Sequence, residues 1–137
     1  MKARLILALG LALSAGSPAA MYYVNDATTN GDVFCAAPGA ATNTGRTVTS
    51  PLSSLGALLA ATNFNPGDTV YVDAGYYTNV ATPVLGVAHS GSATGGVVTV
   101  QGAGAAATVL TSDVPGGGGH GLHLLNASHV RVTGLGL

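Results

Sequence analysis

Three short stretches repeat one pattern: VYVDAG from Val70, VTVQG from Val98 and VRVTG from Val130. Each sets two valines two positions apart and a glycine two or three residues after the second. Side chains alternate across an extended strand, so both valines of a pair share one face. No single strand can bury that face alone. The units start 28 and 32 residues apart, joined by glycine-rich connections and by further short apolar runs, TVLT and GLHLL. A recurring unit of this size predicts a stacked solenoid of parallel strands.

The rest of the composition agrees with strands and turns. Only 7% of the 137 residues are charged, there is no glutamate, and glycine occurs 21 times; an average globular chain is roughly 25% charged. Ion pairs therefore cannot drive helices here, whereas valine, threonine and glycine favour strands and tight turns. One segment does read as helical, SPLSSLGALLAAT. Ser50 is its expected cap, Pro51 its first residue, and Leu52, Leu55, Leu58 and Leu59 form its buried face, ending near Asn63.

The N-terminus reads as a secretory signal over residues 1–20. Lys2 and Arg4 form the basic region, Leu5 to Ala15 the apolar one, and Ser17-Pro18-Ala19-Ala20 the small-residue zone, with cleavage after Ala19 or Ala20. Residues 21–65 are then an N-terminal strand, loop and capping helix, and 66–137 the repeating part. Past residue 20 the chain keeps Arg46 and Arg131 against five aspartates. Two scattered cations cannot neutralise a phosphate backbone, so nucleic acid is excluded as a partner, and no membrane span is expected in the mature chain. Cys35 has no second cysteine to pair with and reads as a small buried hydrophobe.

The stretch PGDTVYVDAGYY holds two carboxylates, Asp68 and Asp73. Five extended residues separate their backbones by about 16 Å, beyond the roughly 5 to 9.5 Å of paired glycosidase carboxyl groups. The stretch is therefore a turn, with Asp68 bonding turn amides, followed by a strand with Val70 and Val72 inward and Thr69, Tyr71 and Asp73 outward.

The segments YYVND, GDVFC, NTGRTVTSPLSSLGALLAA, NPGDTVYVDAGYY, VVTVQGAG and ASHVRVTGLGL, in this order from Tyr22 to Leu137, resemble the N-terminal part of secreted right-handed parallel β-helix proteins of the pectate-lyase-like superfamily. The resemblance implies an all-β solenoid with a short N-terminal capping helix. Members run on for many more coils, so further coils of the chain are expected past Leu137, and the open edge there is expected to self-associate.

Other motifs are weaker. GAGAAA, Gly102 to Ala107, fits a dinucleotide fingerprint, but TVLTSDVPGGGG leaves no room for the helix that must follow. His120, His123 and His129 lack the convergent spacing of a zinc site and read as surface residues. DATTNGD, Asp26 to Asp32, begins like a calcium loop, but Ala37 stands where the bidentate glutamate belongs, so side-chain to backbone bonds are expected instead. Asn126-Ala127-Ser128 is a sequon whose asparagine is expected to bond the backbone. No nucleophile triad can be assembled, and no cofactor or metal is implied.

Aligning the valine pairs stacks Thr69, Val97 and His129; Tyr71, Thr99 and Arg131; and Asp73, Gln101 and Thr133. Strands about 4.8 Å apart would then gather Tyr71, Asp73, Gln101, His129 and Arg131 into one outward patch, where a ring and hydrogen-bonding groups suit a sugar. The expected function is a secreted or cell-surface, non-catalytic scaffold contacting polysaccharide. The alternative is the N-terminal region of a polysaccharide lyase or glycoside hydrolase whose catalytic residues lie downstream.

Overall fold

The computed structural model describes residues 17–116 and 118–137. Most of the expected signal segment therefore lies outside the described residues. The elements in chain order are β1 (Met21–Val24), α1 (Leu55–Ala61), β2 (Thr69–Val72), β3 (Gly75–Asn79), β4 (Val84–Leu85), β5 (Val98–Gly102), β6 (Thr108–Ser112), β7 (His123–Leu124) and β8 (Val130–Thr133), with a 3-10 turn at Val87–His89. All named strand pairs are parallel. The largest sheet has the order β1-β2-β5-β8, and β3-β6 and β4-β7 form two sheets of two strands.

Alternation decides what each strand buries. Tyr22, Val24, Val70, Val72, Val98 and Val100 point inward and are buried, while Tyr23, Thr69, Tyr71, Thr99 and Gln101 face outward. The inward set forms one core with Leu55, Leu58 and Leu59 of α1, Phe64, Tyr77, Leu85, Leu110 and Leu122. On β8 the same face, Val130 and Val132, is only partly buried.

The expected all-β right-handed parallel β-helix is not what the described residues form. The described residues form few short strands in small parallel sheets with one helix, and no closed or solenoid sheet. Each valine pair requires only that its own face meet a neighbouring strand, and the four-stranded sheet meets that requirement by itself. β4 and β7 are two residues long, too short for their sheet to carry a repeating wall.

The helix also departs from expectation. It starts at Leu55, and its cap is Ser54, whose hydroxyl accepts the Ala57 N–H at 3.1 Å. Leu52 is extended instead: its N–H donates to the Tyr23 carbonyl and its own carbonyl accepts the Asn25 N–H, both at 2.9 Å. With the Tyr23 N–H donated to Gly45 at 2.8 Å, the outer edge of β1 is closed by its own loop. Gly45 makes that turn at φ +67, where a side chain would be strained. Among the described residues no helix is long and apolar enough to cross a membrane.

Leu55 is fully buried in the core. Leu55→Asp should therefore lower stability by about 3 kcal/mol or more, while Thr47→Ser on the exposed loop should leave it unchanged. Thermal melts of both variants check this, and equal melting temperatures would refute the role of the α1 leucines.

Candidate functional site

The outward face of the four-stranded sheet carries the site. Parallel register sets Tyr23 beside Tyr71 and Tyr71 beside Gln101, with Thr133 next in the row; the neighbouring row runs Met21, Thr69, Thr99, Arg131. The rings of Tyr23 and Tyr71 stack at 5.6 Å between centroids with 22° between planes. Phe34 tilts against Tyr71 at 4.9 Å. Met21, Tyr23, Val33, Phe34, Val48, Tyr71 and Gln101 line a cleft of about 430 Å³ on this face.

Three of those residues are large hydrophobes left in solvent: Met21 is 55% exposed, Val33 65% and Val48 38%. They surround the three aromatic rings of Tyr23, Tyr71 and Phe34 in the lining of one cleft.

The wall of the cleft is irregular chain held by a buried carboxylate. Asp73 follows β2 and is fully buried. Its Oδ1 accepts the N–H of Val33 at 2.7 Å and of Ala74 at 2.8 Å, and its Oδ2 accepts those of Phe34 at 2.8 Å and Cys35 at 2.5 Å. Burial alone would raise its pKa, but these four amides outweigh burial and hold it below the ordinary 3.8. Ala36 continues the wall by donating its N–H to the Val48 carbonyl at 2.8 Å. Underneath, the Asn25 amide donates to Asp32 at 2.6 Å and to the Ala37 carbonyl at 2.9 Å.

The DATTNGD loop is tied by side-chain to backbone bonds. Asp26 Oδ1 accepts the Thr28 N–H at 2.7 Å and the Thr28 hydroxyl at 2.9 Å. Burial raises the pKa of Asp32, one of whose oxygens is buried without a partner. The Cys35 thiol is pushed up to about 12, by burial first and then by Asp73, which disfavours its thiolate. Among the described residues no three His, Cys, Asp or Glu side chains are placed to hold a metal.

Of the five residues expected to share a patch, Tyr71 and Gln101 meet. Asp73 turns inward because the strand ends at Val72, and it positions the wall instead of facing solvent. Arg131 is exposed on β8, beside Thr99 and outside the cleft lining. His129 precedes β8 at φ +51, two rows from Gln101. The cause is a two-residue shift: Val70 pairs with Val100, not Val98, while Val98 pairs with Val130 as aligned. Sequence reasoning missed Tyr23, although the alternation that turns Tyr71 outward also turns Tyr23 outward once MYYV is read as a strand. Phe34, Val33 and Val48 carried no such signal, since the Asp73 cage places Val33 and Phe34 and the Ala36 bond places Val48.

Comparison with family models, with curated proteins and with solved structures finds no match.

The depressed pKa of Asp73 fixes the sign of an acid effect. Its contribution is complete above the ordinary carboxylate value of 3.8 and is lost as pH falls through the lower folded value. Asp32, with a raised pKa, acts in the opposite sense. Wild-type melting temperature should therefore fall more steeply below pH 3.8 than that of Asp73→Asn, which should be less stable at pH 7 by about 2 kcal/mol or more. Parallel pH profiles for the two proteins would contradict the cage.

Proposed function

We propose that this chain is a non-catalytic glycan-contacting protein, with the sugar lying in the cleft between the Tyr71 row and the wall formed by Val33, Phe34 and Val48. The observation that carries the reading is the three-ring cluster of Tyr23, Tyr71 and Phe34, half-exposed beside Gln101. A pyranose presents an apolar C–H face that packs on aromatic rings and hydroxyls that need donors and acceptors nearby. The sheet supplies both within two strands. Binding is favoured over catalysis because no carboxylate, histidine or lysine lines the cleft, and the buried carboxylates of Asp68 and Asp73 are occupied by backbone amides. Export, proposed from the basic and apolar segment before Met21, would bring this face to extracellular polysaccharide.

A glycan array with the mature chain tests the reading. Wild type should bind at least one glycan, Tyr71→Ala should lose about tenfold or more in affinity, and Tyr71→Phe should retain most of it. Arg131→Ala should change little, because Arg131 lies outside the cleft lining. No glycan bound by wild type, or undiminished binding by Tyr71→Ala, would remove the proposal.

A further inference from the structure

The two sides of the cleft differ in chemistry, and that difference narrows the ligand. The N–H groups of Val33, Phe34 and Cys35 are spent on Asp73, and that of Ala36 on the Val48 carbonyl. Four consecutive donors of the wall are thus turned away from the cleft. What the wall presents is the side chains of Val33, Phe34 and Val48, joined by Met21 from β1. A sugar hydroxyl pressed against this surface would leave water without finding a backbone N–H to accept from. A methyl group would lose nothing there and would cover exposed valine. The β5 side is the reverse, since the Gln101 amide both donates and accepts and the next strand adds Thr133.

Resting on the glycan reading above, we infer that the cleft selects an acetylated sugar, with the acetyl methyl against Val33 and Val48 and the polar ring edge toward Gln101. An acetamido group suits this division: its methyl is apolar, and its N–H and carbonyl can be met by a side chain with both functions. A plain hexose, with its C–H face on the rings, has only a hydroxyl at the position where the acetamido methyl would meet Val33 and Val48.

Titration calorimetry of the mature chain with chitotetraose and cellotetraose tests this directly. Both are β-1,4-linked and differ at one carbon of each unit, which bears acetamido in the first and hydroxyl in the second. Wild type should prefer chitotetraose by about tenfold. Val48→Thr and Val33→Thr are similar in volume and lie at exposed positions, so the fold should tolerate them. Each should reduce the preference to about threefold or less, with cellotetraose affinity unchanged or raised because the new hydroxyl gives a sugar hydroxyl a partner on the wall. Equal affinity of wild type for the two oligomers, both lost in Tyr71→Ala, would overturn the acetyl selection and leave the glycan reading standing. Binding of neither oligomer would also overturn it, with the array deciding the glycan reading separately. A preference that survives both threonine variants would overturn the assignment of the wall.

Discussion

The buried carboxylate of Asp73 is the joint on which the cleft depends. Besides its four amide bonds, the residue donates its own N–H to the Val24 carbonyl of β1 at 2.9 Å. Its carbonyl accepts the Tyr77 hydroxyl of β3 at 3.0 Å and the Thr108 hydroxyl of β6 at 3.1 Å. One residue thereby ties two sheets to a loop that has no secondary structure of its own. A buried charge is costly unless its hydrogen bonds are made, and here the chain supplies four donors. Those donors would otherwise be orphaned or drawn toward solvent, so carboxylate and loop satisfy each other.

Asp68 repeats the device at the other end of β2. It too is buried, and it accepts the N–H of Ala20 at 2.7 Å and of Asn65 at 2.8 Å. A chain with five aspartates uses two of them as internal acceptors flanking a single strand. Such spending makes sense where helices and ion pairs are scarce, because irregular loops must then be fixed by side chains acting on backbone. The result is a wall whose backbone is tied to the sheet at Val33, Phe34 and Cys35 and to its own loop at Ala36.

Much of the interior was legible in the sequence because period-two alternation determines which face a residue occupies. Val70, Val72, Val98 and Val100 were readable as core on that basis, as were Leu55, Leu58 and Leu59 from helical spacing. Register was not readable, since a slip of two residues keeps every side chain on its own face and alternation cannot detect it. The slip that occurs sets Gly102, not Val100, beside Val72; a Cβ at Gly102 would collide with the Gly134 carbonyl. The solenoid expectation failed for a related reason: repeated valine pairs describe one sheet and are silent about what the intervening chain does. Tyr71 and Gln101 were found by alternation and meet by the slip. Phe34 and Val33 were invisible, because their positions follow from long-range bonds to a residue about forty positions on.

The most direct test of this account is amide hydrogen exchange at Val33, Phe34 and Cys35, in wild type and in Asp73→Asn, at a pH where both remain folded. The amide of an asparagine replaces one acceptor oxygen by a donor, so the cage cannot be kept whole. The account predicts that these three amides are protected in wild type and exchange much faster in the variant, while Val70 and Val100 in the sheet keep their protection. Unchanged protection at residues 33–35, or protection absent from wild type, would contradict the claim that Asp73 builds the wall.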